Sequence, residues 1–312
     1  DNAVANATNL TSIGGSYEAV QKRGDKIVFG DGSRNPNIRL FDATTNTELW
    51  SYDDDSFSVG INSPDKLGIG DNYGAFVNIR GNGNQGEVQI LDINTGARVS
   101  TISYPSSHVK GLIVLPNGKL ITYGIYAPNY LGQYDLTDPA NPVLDWSVST
   151  NPSAYAYGGF AGIEMGQVQG NNSLIAVPAN GDPWDGGDTI DNNDPTKRSN
   201  GRVYLVDTTD GSVRSSVGDP NTPDAQGSNM FRNIHGITST NKLYVGAYGT
   251  DGDGVYETYE GRIHVYDVSD PDNPSLIKSL APADYGYGAT NSNSFARNFG
   301  AGHSALVGDT LF

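Results

Sequence analysis

The stretch GDPWDGGDTIDNNDPTKRSNG, residues 181–201, sets aspartates at Asp182, Asp185, Asp188, Asp191 and Asp194, one every third residue. A second acidic stretch, TDGDGVYETYEG at 250–261, adds Asp251, Asp253, Glu257 and Glu260. Carboxylate oxygens are hard ligands, so Asp182, Asp185, Asp188, Asp251, Asp253 and Glu257 suit Ca²⁺ better than zinc or copper. The spacing of three is not that of a known calcium loop, and an EF-hand begun at Asp251 fails because Arg262 falls at its twelfth position. The other reading is a solvated acidic loop, held extended by its own repulsion and partly neutralised by Lys197 and Arg198.

Aromatic residues crowd the same kind of segment: Tyr155, Tyr157, Trp184, Tyr256, Tyr259, Tyr285 and Tyr287. Such side chains anchor a protein interface or stack on a sugar ring, because each offers a large apolar area with a polar tip. They equally serve to pin glycine-rich loops onto the strands beneath. No catalytic group is selected. The four histidines are His108, His235, His264 and His303; no nucleophile elbow, HExxH pair or phosphate-binding glycine loop occurs, and no other cofactor is implied. Two carboxylates across a cleft, as in glycoside hydrolases, remain an open alternative, but nothing singles out a pair.

The formal charge of −16 disfavours nucleic acid and anionic membrane surfaces as partners. No window approaches a membrane span, and the first residues lack the features of a signal peptide. The absence of cysteine removes disulfides and thiolate chemistry. Forty glycines beside abundant Asn, Asp, Ser and Thr favour many short strands joined by turns, and a 312-residue chain is long enough for a substantial core.

Five segments share an alternating apolar run ending in Asp, then a turn and a second run: residues 37–53, 86–104, 132–148, 201–217 and 261–280. The shared aspartates are Asp42, Asp92, Asp135, Asp207 and Asp267, and each is expected to cap its turn through backbone amides. A further pair of short strands precedes each segment, so the repeating unit is four strands. Units of four antiparallel strands at such spacing fit the blades of a β-propeller. A stacked solenoid is the other architecture compatible with the repeat.

The expected fold is therefore all-β, a single β-propeller domain over 1–312 with five complete blades plus a partial sixth: 14–54, 55–105, 106–149, 160–218, 230–281 and 298–312. FGAGHSALVGDTLF at 299 aligns without a gap on FRNIHGITSTNKLY at 231, pairing His303 with His235, and supplies two inner strands. The partial blade suggests one piece of a longer chain. Counting from Leu174 and Leu243 as matching positions places Asp182 opposite Asp251, in the same connection of adjacent blades.

The run from Phe231 to Asp267, with LYVGAYGTDGDG and GRIHVYD, resembles the FG-GAP type of propeller repeat found in integrin α-chain heads and microbial and phage surface proteins. The turns DVSDPDNPSLIKSL and DLTDPANPVLDWSV resemble LVIVD-type repeats. No blade carries the intact DxDxDG of integrin calcium loops. The resemblance implies blade architecture and a structural or adhesive module outside the cytoplasm, on a cell surface or in a virion. Its partners would be proteins of that assembly or glycans, met through the long loops. The alternative is a polysaccharide hydrolase or lyase.

Overall fold

The computed structural model describes residues 19–30, 38–53, 66–80, 85–104, 109–124, 131–148, 168–179, 202–217, 230–248, 262–280, 284, 306–307 and 310–311. They form five four-stranded sheets and one two-stranded sheet, with antiparallel pairing throughout blades 1, 2, 4 and 5 and in the two-stranded sheet. Blade 1 is β1 (Ala19–Arg23), β2 (Lys26–Gly30), β3 (Ile38–Asp42) and β4 (Thr47–Tyr52). Blade 2 is β5 (Leu67–Ile69), β6 (Tyr73–Arg80), β7 (Gln85–Asp92) and β8 (Arg98–Tyr104). Blade 3 is β9 (Val109–Val114), β10 (Leu120–Gly124), β11 (Leu131–Asp135) and β12 (Val143–Val148). Blade 4 is β13 (Gln169–Gly170), β14 (Leu174–Ala179), β15 (Arg202–Asp207) and β16 (Val213–Val217). Blade 5 is β17 (Met230–Ile237), β18 (Lys242–Tyr248), β19 (Arg262–Asp267) and β20 (Ser275–Leu280). A hairpin of β21 (Leu306–Val307) and β22 (Thr310–Leu311) stands where the sequence places the inner strands of a sixth unit.

Within each blade the strands follow in chain order, and in blades 1, 4 and 5 short turns alternate with a longer connection between the second and third strands. The chain divides into two compact units, residues 1–122 with 133–145 and residues 123–132 with 146–312.

Strand position in the sheet dictates residue type. The second strand is covered on both faces, and in β10 Leu120, Ile121, Thr122 and Tyr123 are all buried. The fourth strand is an edge: β4 and β12 each bury a single residue, Trp50 and Trp146. The core lies between neighbouring blades. In the first unit, Val28, Leu40 and Trp50 of blade 1 meet Leu67, Phe76 and Leu91 of blade 2. On its other face, blade 2 packs Tyr73, Ala75 and Ile90 against Val109, Leu112 and Leu120 of blade 3. Phe76 and Ala75 are consecutive and point opposite ways, as the period of two requires. In the second unit, Leu174, Ala176 and Leu205 of blade 4 meet Ile234, Leu243 and Val245 of blade 5.

The fourth strands of blades 1, 2, 4 and 5 each carry a β-bulge at the same place. One residue is skipped: Leu49 in β4, Val99 in β8, Arg214 in β16 and Ile277 in β20. The alternating pattern gives no sign of this extra residue. Its effect is to twist the edge strand and spoil it as a template for further pairing.

The equivalence drawn from Leu174 and Leu243 is corrected by one residue. Leu174 pairs with the capping Asp207, whereas Lys242 pairs with the capping Asp267, so Leu243 corresponds to Ile175. Both candidates for the match to Leu243, Leu174 and Ile175, are buried aliphatic residues, because the second strand is apolar on both faces. Apolar identity therefore cannot fix register there. The two acidic stretches still follow the second strand of their blades, but Asp182 and Asp251 are not in matching positions.

Candidate functional site: the turn end and the blade contacts

The residues proposed for calcium, Asp182, Asp185, Asp188, Asp251, Asp253 and Glu257, lie outside the described residues, as do Tyr155, Tyr157, Trp184, Tyr256, Tyr259, Tyr285 and Tyr287. So do His108 and His303. His235 and His264 are described and buried, on β17 and β19. The described polar geometry is concentrated at the opposite end of each blade, at the turns joining the first strand to the second and the third to the fourth.

All five strand-ending aspartates cap their turns. Oδ1 of Asp42 accepts from the backbone N–H of Thr44 and Thr45 at 2.8 and 2.9 Å, and Asp92 does the same with Asn94 and Thr95 at 3.0 and 2.8 Å. Asp135, Asp207 and Asp267 each accept from the amide two residues on, at 2.8, 2.8 and 2.9 Å. The Thr44 hydroxyl, with the amides of Thr45 and Thr44, holds the Asp42 carboxyl down at about 2.

Three of the caps use the second oxygen for a cation. Lys119 reaches Asp135 at 2.6 Å, and Lys242 reaches Asp267 at 2.5 Å, each from the start of the second strand. Those two ammonium groups, together with the turn hydroxyls and amides, hold both carboxyls far below the ordinary range. In blade 4 the corresponding second-strand residue is Leu174, and the bulge residue Arg214 supplies the charge to Asp207 at 3.0 Å instead. These carboxylates are engaged in turn geometry, which accounts for their recurrence.

A second network joins turns of the first unit. Arg23, ending β1, binds Asp71 through Nε and Nη2 at 2.6 and 3.0 Å. Its Nη1 and Nη2 also donate to the carbonyls of Leu115 and Pro116 at 3.0 and 2.9 Å. Tyr73, buried and therefore with its phenol pushed up in pKa, donates to the carbonyl of Gly118 at 2.9 Å. Turns of three successive blades are thus tied together.

The blade contacts carry a further pattern that the sequence reading missed. Trp50 of blade 1 donates its indole N–H to the carbonyl of Ile93 in the blade 2 turn at 2.7 Å. Its ring lies on Gly96, where an added Cβ would come within 2.7 Å of Cδ2. Trp146 repeats this in the second unit, donating to the Thr208 carbonyl at 2.8 Å and lying on Gly211, where a Cβ would come within 2.5 Å of Cε3. Gly96 and Gly211 have φ of +71° and +75°, the left-handed region that favours glycine. The other two contacts use serine. Ser100 of blade 2 donates to the Pro139 carbonyl at 2.6 Å, and Ser215 of blade 4 donates to the Pro271 carbonyl at 2.5 Å. The available signal was a Trp at one place in two outer strands, with Gly or Pro four residues after the capping Asp of the blade that follows.

No family model and no curated protein matches the chain. Solved structures do. Sqt1 from Chaetomium thermophilum aligns at a TM-score of 0.50 and 16% identity, covering 88% of this chain and 60% of that one. BamB from Moraxella catarrhalis aligns at 0.45 and 12%, covering 82% and 58%, and a chain of the mitotic checkpoint complex at 0.47 and 14%, covering 84% and 63%. This chain thus spans about three fifths of those it matches. At such identities the likeness is one of fold, and it agrees with the five antiparallel sheets: the chain is a β-propeller built of four-stranded blades.

Proposed function

We propose that the chain is a non-enzymatic structural or adhesive propeller module of an extracellular surface or virion assembly. It meets proteins or glycans through its long connections. The observation that carries this reading is the contrast between the two ends of a blade. At the short-turn end, the strand-ending carboxylates are engaged in capping turns, and three of them also bind cations, so they are poorly placed for chemistry on a substrate. Long connections hold the acidic residues, in 180–201 and 249–261, and the aromatic residues, in those two and in 149–168 and 281–305, and chain length beyond what a connection needs is most often kept for binding.

In this reading Trp184, Tyr256 and Tyr259 are contact anchors, and Ca²⁺ held by Asp182, Asp185, Asp188, Asp251, Asp253 and Glu257 orders the loops. The FG-GAP and LVIVD resemblance of the repeats supports the same setting.

Lysine-directed cross-linking of the native assembly tests it. Lys197 lies in the long 180–201 connection, while Lys26, Lys119 and Lys242 lie at the short-turn end. Partner cross-links through Lys197 are expected. Cross-links confined to Lys26, Lys119 and Lys242 would overturn the assignment of the face.

A further inference from the structure

The four described blade contacts alternate strictly in chemistry. The reading residue is the one just after the bulge on the outer strand: Trp50 and Ser100 lie opposite Leu40 and Ile90, and Ser215 lies opposite Leu205. Trp146 occupies the same place in β12, whose burial pattern is identical to that of β4. The residue read stands four after the capping Asp of the following blade: Gly96, Pro139, Gly211 and Pro271.

We propose that this pair of positions is a two-class pairing rule that specifies which blade can pack on which. Trp selects a glycine turn and Ser selects a proline turn. Shape makes the classes exclusive. An indole occupies the space a Cβ would fill at Gly96 or Gly211, so a pyrrolidine ring at that place collides with it. The proline turns approach closely enough for a hydroxyl to reach the proline's own carbonyl at 2.5–2.6 Å. The indole instead donates to the residue directly after the capping Asp, a carbonyl that the shorter serine side chain does not use. A wrong pairing either overlaps or leaves a void with an unpaired donor.

In blade 5 the equivalent residue, opposite Val265, is Lys278, and it is exposed, whereas Trp50 and Trp146 are buried and Ser100 and Ser215 half-buried. Lys278 therefore serves as an internal control for the position itself.

The test is a double-mutant cycle on the full chain, read by calorimetric Tm. One variant is Trp50→Ser. The second replaces residues 93–96 by the chain's own proline turn, residues 136–142, which keeps Ala97 and the outer strand in register. The third combines them. Each single change is expected to lower Tm by about 5–10 °C, the scale of losing or overfilling a large buried contact in a chain of this size. The combination is expected to melt above both singles, because Ser then faces proline. Losses that simply add would overturn the rule. Should the turn exchange prevent folding, Ser215→Trp against the same variant with Pro271→Gly gives the second cycle, with rescue expected and mere additivity contradicting the rule. Lys278→Ala is expected to leave Tm unchanged; a drop comparable to that of Trp50→Ser would show that the position matters even where its side chain is exposed, and would also sink the proposal.

Discussion

Arg23 holds Asp71 by two contacts, 2.6 and 3.0 Å, while the same guanidinium donates to the carbonyls of Leu115 and Pro116. The two halves of this arrangement differ in exposure. The Arg23 side chain is 21% exposed and that of Asp71 76%. Ion pairing with so exposed a carboxylate is screened and contributes little, whereas carbonyls left without a donor lose a charge-assisted bond. Asp71→Asn is therefore expected to cost under about 1 kcal/mol, and Arg23→Ala about 2 kcal/mol. Arg23→Lys falls between, since an ammonium cannot reproduce the fork. Urea unfolding midpoints of the three variants check the order; an Asp71→Asn loss equal to that of Arg23→Ala would contradict it.

The capping carboxylates set an acid limit on stability. Asp42, Asp135 and Asp267 titrate below the ordinary carboxylate range in the folded chain, through turn hydroxyls and amides at Asp42 and through lysine partners first at the other two. Lowered folded values mean that the unfolded chain takes up protons first as pH falls. Their contribution is thus fully present above the unfolded carboxylate value of about 4 and is lost progressively below it. Stability measured against pH is expected to be flat from these groups above about pH 5 and to fall steeply from pH 4 downward. Asp135→Asn should lower stability at pH 6 and flatten the acid decline. An unchanged slope would show that the Lys119 pair does not contribute.

The edge strands present apolar residues to solvent. Leu276 and Ile277 on β20 are 53% and 52% exposed, and Val143 and Leu144 form a similar pair on β12. Side-by-side exposure follows from a bulge in β20, where Ile277 is the skipped residue. Ile277→Lys is expected to leave Tm within about 1 °C of the parent, since little buried area is lost, and to raise the concentration at which the chain aggregates. A fall of several degrees in Tm would show that the edge is covered in the folded chain.

Much of this architecture is legible from local pattern. Alternation in runs such as IRLFD and RVYLVD gives the strands, and the Asp ending each run gives the cap, because both depend on neighbours within a few residues. Long-range geometry is a different matter. Nothing in the spacing of Trp50 indicates that its partners are Ile93 and Gly96, over forty residues away. The bulges escape for a related reason: Leu49 and Ile277 are apolar residues in apolar strands, and their extra place in the register appears only against β3 and β19. Register fails for the leucines of β14 and β18 because burial on both faces erases the alternation that would align them. The acidic and aromatic connections are legible as composition, not as geometry, since a stretch whose spacing is neither that of a strand nor that of a known calcium loop carries no local rule for placing its side chains.

Two glycines with similar backbone angles separate conformational strain from packing. Gly24 has φ of +57° with no atom within 4 Å of an added Cβ, while Gly211 has φ of +75° with the Trp146 ring 2.5 Å away. Alanine at Gly24 meets only the left-handed penalty, about 1 kcal/mol. At Gly211 the same penalty is joined by displacement of the indole and of its 2.8 Å bond to the Thr208 carbonyl, for a total of about 3 kcal/mol. The difference should vanish when Trp146 is first replaced by alanine, because the added methyl then enters space the indole has left. Calorimetry of Gly24→Ala, Gly211→Ala and the Trp146→Ala double variants measures it; a Gly211→Ala cost that persists without the indole would mean that the turn itself, and not the blade contact, requires glycine there.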